Sequence, residues 1–218
     1  YADSLVREHL GRGVVAVKEG PDRAFVTWRY LDTDSKDITF DIYRNGKKIT
    51  PRPITEKTWY IDTSLPEGDV QYEVHPVRGG GNAPSGGFTL TAQAPIGYIE
   101  IPLYYPQGGK TPDGRTYTYS AGDASIGDMD GDGEYEIVLK WDPSNAHDNA
   151  HDGYTGNVLF DCYRLTGDRL WRIDLGPNIR AGAHYTQFMV LDLDGDNNAE
   201  VVMRTSDGTG DGMGKVSG

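Results

Sequence analysis

The chain has 218 residues, enough for one large or two modest domains, and carries 33 acidic against 21 basic side chains for a formal net charge of −12. That balance argues against nucleic acid and membrane surfaces as partners, although bound cations could still turn the local field toward an acidic ligand. A single cysteine, Cys162, excludes an internal disulfide, and no apolar run approaches the length of a membrane span.

From residue 12 to 94, short strand-like runs alternate with turns: GVVAVKE, RAFVTWRYL, ITFDIYR, KKITPRPI, WYIDT, VQYEVHPV and FTLTAQA. Asn45-Gly46 between two of them predicts a type I′ hairpin, because both central positions of that turn need φ > 0. Seven short strands at this spacing predict a β-sandwich with Trp28 in its core. Tyr72, four residues after Gly68, stands at the spacing of a tyrosine corner. The segment resembles fibronectin type III domains, so a fibronectin type III-like β-sandwich is expected over residues 1–94.

Residues 95–119 change in texture. The run is rich in Pro, Gly and Tyr and reads as an irregular arm. Tyr104, Tyr105, Tyr117 and Tyr119 are expected to pack that arm against its neighbour rather than to stack on sugar rings, since tyrosine suits sites where one end stays wet.

Two copies of an acidic loop follow at an offset of 64: DMDGDGEYEIVL from Asp128 and DLDGDNNAEVVM from Asp192. Each places carboxylates at positions 1, 3 and 5 (Asp128, Asp130, Asp132; Asp192, Asp194, Asp196) and a glutamate at position 9 (Glu136; Glu200). Oxygen donors at alternate positions of a tight loop suit Ca²⁺, which accepts six to eight of them in a flexible geometry. An EF-hand needs a further ligand at position 12, where this chain has Leu139 and Met203. The β-branched runs after each loop predict strands instead. EIVLKW, NVLFDCYRL, RLWRIDLG and TQFMVLDL are expected to form one blade of a β-propeller, and EVVMRT to open the next. Cys162 is expected to be a small buried hydrophobe, and Trp171 a wedge between blades.

The polar excursion after Trp141 offers Asp142, Asn145, Asp148, Asn149 and Asp152 at a blade rim, where binding groups commonly sit. His147 and His151 lie four apart without a helix to bring them together, so zinc is not expected. NIRAGAHYTQF adds Arg180, His184 and Tyr185. Arg180 could pair with a carboxylate, whereas His184 is the easier base because its ordinary pKa lies near neutrality. Lys140 and Arg204 occupy equivalent places in the two repeats, which points to blade packing.

The runs SAGDASIGDMDGDGEYEIVLKWDPSNAHDNAHDGYTGNV and LWRIDLGPNIRAGAHYTQFMVLDLDGD, with GRGVVAVK upstream and MRTSDGTGDG downstream, resemble the rhamnogalacturonan lyases of polysaccharide lyase family 11. The resemblance implies an all-β protein, a fibronectin-like domain followed by an eight-bladed propeller with many bound Ca²⁺. Residues 120–218 would then be the first part of that propeller, the remaining blades being needed to complete it. It implies a Ca²⁺-dependent lyase that cleaves the rhamnose–galacturonate backbone of rhamnogalacturonan I by β-elimination, secreted by a bacterium and monomeric at full length.

Under that resemblance Asp142 lines the substrate cleft; the residues themselves offer Asn145 and Tyr185 as further sugar contacts and Arg180 and His184 as candidates for the catalytic base. Family members often carry Asn where this chain has Gly122, which removes one polar contact here. The contrasting expectation is a non-catalytic, calcium-binding β-propeller that holds carbohydrate or protein. A quinone-dependent propeller rests on LTGDRLW alone, and the acidic loops do not belong to it.

Overall fold

The computed structural model describes residues 8–79, 85–182 and 184–217, and is all-β. No helix among these residues is long and apolar enough to cross a membrane. The described residues divide into two compact units: one holds residues 9–79 and 85–100 with 132–134, the other residues 8, 101–131, 135–182 and 184–217.

The sandwich unit contains β1 (Val15–Gly20), β2 (Arg23–Thr27), β3 (Thr39–Arg44), β4 (Lys47–Lys48), β5 (Trp59–Asp62), β6 (Val70–Arg78) and β7 (Gly86–Leu90). Sheet order is β1-β2-β5 in one layer and β4-β3-β6-β7 in the other. Period-two alternation sends Ala16, Ala24, Val26, Phe40, Ile42, Val70, Tyr72 and Val74 into a shared core, as a half-buried strand requires. Trp28 lies there with its ring edge on Phe40, centroids 5.3 Å apart. The hairpin at Asn45-Gly46 has φ of 50° and 72°, so both residues take the left-handed region that the dipeptide predicts.

Two polar pairs complete this core, and the sequence pattern did not reveal them. The Arg12 guanidinium, fully buried against the face of Phe40, donates two 2.6 Å bonds to Asp34. Burial alone would raise the Asp34 carboxyl, but the Arg12 fork and the Leu31 N–H more than offset it and hold the group below its ordinary value. Tyr72 donates to the buried Asp62 carboxylate at 2.7 Å, and Arg44 clamps the same carboxylate. The expected tyrosine corner is therefore modified, because a side chain from β5 accepts the hydroxyl where a corner uses a backbone carbonyl.

The second unit opens with the arm, mostly irregular, with a small hairpin of β8 (Gly109–Lys110) and β9 (Thr116–Tyr117). An antiparallel meander follows: β10 (Tyr119–Gly127), β11 (Glu136–Pro143), β12 (Leu159–Tyr163) and β13 (Arg169–Asp174). β14 (Phe188–Leu191) and β15 (Glu200–Met203) pair as a further two-stranded sheet. The four-stranded sheet thus begins one strand earlier than expected, and TQFMVLDL contributes to the next sheet. Each acidic loop is the turn between two strands of its sheet rather than the start of a blade. β10 was hidden because SAGDASIG is small, polar and largely exposed, a composition that reads as loop.

β12 is buried on both faces. Phe160 and Cys162 enter one cluster, Leu159 and Tyr163 the other. Burial pushes the Cys162 thiol up to about 12, which keeps it protonated and inert at neutral pH. Trp171 lies opposite Cys162 in the register and packs against the first cluster.

Between the second face and the arm sits Asp161, wholly buried. It accepts from Arg172 (2.6 and 2.5 Å), from Trp141 Nε1 (2.8 Å) and from the Tyr163 hydroxyl (2.6 Å). The arm is tied to this hub, since Arg172 also donates to the Tyr104 carbonyl and Tyr104 N–H donates to Tyr163. Tyr104 stacks on Tyr163, Tyr105 sets its edge on Trp141, and Tyr119 donates to the Asn157 carbonyl. Tyr104, Tyr105 and Tyr119 thus make the packing contacts expected of them, although Tyr104 and Tyr105 stay more than half exposed.

Candidate metal loops and the opposite rim

Successive connections of an antiparallel meander alternate between its two ends. The loop Asp128–Glu136 joins β10 to β11, and the loop Asp192–Glu200 joins β14 to β15. The two loops are neighbours, with Ala199 N–H donating to the Asp128 carbonyl at 2.7 Å.

The second loop gathers carboxylate oxygens of Asp192, Asp194, Asp196 and Glu200 within 4.8 Å of one another. Short side-chain turns shape it: Gly195 and Asn197 N–H donate to Asp192, Asp196 N–H to Asp194, and Asn198 N–H to Asp196. Asn197 takes φ of 77° in the place of the first loop's Gly133 (φ 87°), so asparagine serves where glycine is usual.

The first loop gathers Asp128, Asp130 and Glu136 within the same distance. Asp132 is not among them; its carboxylate accepts from Glu134 N–H at 2.9 Å. Arg164 pairs with Asp130. In both loops the position-9 glutamate accepts from the N–H of loop position 2, Met129 at 2.8 Å and Leu193 at 2.7 Å. That bond ties each glutamate back to the start of its own loop. A donor set of carboxylate oxygens alone, without thiolate or imidazole, fits a hard divalent cation such as Ca²⁺.

The other rim of the same unit carries Asp142, the excursion to Asn157, and Arg180 to Tyr185. Asp142 closes β11, 3.8 Å from the Lys140 ammonium, which lies 2.7 Å from Asp123. Burial raises the Asp142 carboxyl above its ordinary value; Lys140 opposes that shift and Asp123 adds to it. A β-carbon at Gly122 would lie 2.2 Å from Asp142 Oδ2, so the missing side chain gives that carboxylate its room.

Asn145 braces the excursion, its Oδ1 accepting from Gly156 N–H and its backbone carbonyl facing His147 Nδ1 at 2.7 Å. Arg180 can only donate, so its 3.0 Å contact fixes His147 Nε2 as an acceptor, with the proton on Nδ1. Arg180 also donates to the His151 and Gly153 carbonyls. It is a clamp on the excursion, and loss of its proton would undo these bonds. Both His147 nitrogens are engaged, and the excursion brings the His147 and His151 rings together edge to face, centroids 6.3 Å apart, without the helix that the spacing lacked. Tyr185 accepts from Asn149 N–H through its hydroxyl, and His184 is exposed.

Lys140 and Arg204, which occupy equivalent places in the two repeats, have different surroundings. Lys140 is buried between acids, whereas Arg204 is exposed and lines a cavity with Arg180 and Tyr185.

Fold and loops together define a class: an all-β protein with a two-sheet sandwich, further antiparallel sheets and carboxylate turns suited to hard cations. Comparison with known proteins narrows it. Residues 98–218 match the C-terminal domain of rhamnogalacturonan lyase family 11, and residues 6–87 match the beta-sheet domain of rhamnogalacturonan I lyases. The chain belongs to rhamnogalacturonan lyase family 11.

It is 54% identical over 214 residues to rhamnogalacturonan exolyase YesX of Bacillus subtilis (strain 168), covering 97% of this chain and 34% of that protein. It is also 54% identical over 211 residues to rhamnogalacturonan endolyase YesW of the same organism, covering 97% and 33%. A crystal structure of rhamnogalacturonan lyase YesW superposes with a TM-score of 0.84 at 52% identity, covering 97% of this chain and 35% of that one. The chain therefore spans about a third of the length of the curated relatives it matches.

Proposed function

We propose that this chain is part of a secreted bacterial lyase that cleaves the rhamnose–galacturonate backbone of rhamnogalacturonan I by β-elimination, with structural Ca²⁺ in its acidic loops. The observation that carries this reading is the 54% identity, through both units, to an exolyase and an endolyase named for that polysaccharide.

In the reaction, a base removes the proton from C5 of a galacturonate. The electron pair forms the C4–C5 double bond, and the C4–O4 bond breaks with O4 leaving on the rhamnose fragment and taking a proton. Asp142, held at the rim by the rigid end of β11, accepts hydrogen bonds from sugar hydroxyls. Asn145 and Tyr185 fix the excursion that borders it. Of the two candidates for the base, His184 suits proton abstraction better than Arg180, whose Nη groups brace the excursion.

Asp192, Asp194, Asp196 and Glu200 would hold one Ca²⁺, and Asp128, Asp130 and Glu136 another. The bound ion supplies the positive charge that lets these carboxylates share one turn. The loops lie at the end of their strands away from Asp142, so these two ions act on stability and not on the substrate. Incubation of the full-length protein with rhamnogalacturonan I should generate the ultraviolet absorbance of an unsaturated uronate. Binding of the polysaccharide without that absorbance would instead establish a non-catalytic propeller.

A further inference from the structure

The paired segments of β10–β11 and β14–β15 share a register, and the sequence offset of 64 extends the comparison to the residues that flank them. Ala124 faces Leu139 in one and Phe188 faces Met203 in the other, each pair at the same offset of 64. In the first repeat the cation Lys140 lies beside two acids, Asp123 and Asp142. At the same offset the second repeat has Arg204, Gln187 and Ser206. The cation is kept and both counter-ions are gone.

Arg204 is exposed and lines a cavity of about 390 Å³ together with Arg180, Tyr185, Asn178, Thr205 and Ser206. Among the described residues neither arginine lies within ion-pair distance of an acid. Arg180 is satisfied by carbonyls and a neutral imidazole, which hold it in place and leave its charge uncompensated. Two such guanidiniums at one cavity, in a chain of net charge −12, make a local positive site in an acidic protein. The planar fork of Arg204 matches a carboxylate bidentately. The ring of hydroxyls and an amide around it suits sugar hydroxyls, and the volume falls within the range of small-molecule sites.

We propose that this cavity is a uronate-binding site, in which Arg204 engages the carboxylate of a uronic acid residue and Arg180 adds its charge. The sugar class rests on the lyase reading above; the anion preference rests on the cavity alone.

The test is calorimetric titration of the full-length protein with trigalacturonate and with the same trimer after its carboxyls are reduced to alcohols. The native protein should bind the charged trimer at least about tenfold more tightly, the worth of one hydrogen bond to a charged group. Arg204→Gln should remove that preference. Ser206→Asp, which restores the acid of the first repeat without touching either arginine, should remove it as well. Equal binding of both trimers by the native protein, or a preference that survives Arg204→Gln, overturns the proposal. Cleavage of rhamnogalacturonan is scored separately. A protein that cleaves without the preference defeats only this site, and one that shows the preference without cleaving defeats only the lyase reading.

Discussion

At the scale of single residues, Asp142 and the Arg12–Asp34 pair make opposite predictions. Asp142 has a raised carboxyl pKa in the fold, so its ionised form is disfavoured there. A raised folded-state value gives a stability contribution that is complete at acid pH and lost as pH rises through that value. Asp142→Asn in the full-length protein should therefore raise the melting temperature slightly at neutral pH, with the gain vanishing at acid pH. The same variant should lower turnover on rhamnogalacturonan by about 100-fold, the scale of losing one aligned polar contact in a reacting site. Unchanged turnover would make Asp142 structural. Asp34, by contrast, has a lowered pKa beside a buried guanidinium. Asp34→Asn strands that charge and should cost about 3–5 kcal/mol in denaturant unfolding, whereas replacing both partners with apolar residues of similar volume should cost far less. The rim position of Asp142 was legible in the sequence, because a strand pattern ends in Trp-Asp-Pro. The Arg12–Asp34 pair was not, since its partners are 22 residues apart and only the folded sandwich joins them.

At the scale of elements, the acidic loops show how far a repeat can be read. Their carboxylate spacing announced both clusters, and Glu136 and Glu200 take the same backbone N–H in each. The spacing alone could not show which acids of the first loop gather, namely Asp128, Asp130 and Glu136. Asp196→Asn should then weaken Ca²⁺ binding by at least about 10-fold in calorimetry, as loss of a ligand or of its immediate support does. Asp132→Asn should change it far less, and equal losses would place Asp132 in the cluster. The hairpin at Asn45-Gly46 was legible because two residues dictate its backbone. β10 was not, because pairing with β11 rather than its own composition makes it a strand. The surroundings of Arg204 were not legible from its match to Lys140, because the acids beside Lys140 have no counterpart at Gln187 and Ser206.

At the scale of the whole molecule, two acid-rich turns adjoin one another, so we propose that a cation held in them stabilises the fold. Binding to the folded state alone adds about 2.7 kcal/mol per site when free Ca²⁺ is a hundred times Kd. Excess chelator should lower the melting temperature of the full-length protein before any substrate is present, and restored Ca²⁺ should recover it. An unchanged melt after confirmed metal removal would show that the clusters hold no stabilising ion. The central claim is the reaction itself, and mass spectrometry of rhamnogalacturonan oligosaccharides after incubation with the full-length protein tests it most directly. Elimination leaves one fragment of each cleaved pair lighter than its hydrolysis counterpart by one water, with a double bond in its terminal uronate. Fragments of that mass are the expected result; fully hydrated fragments, or an intact chain, would contradict it.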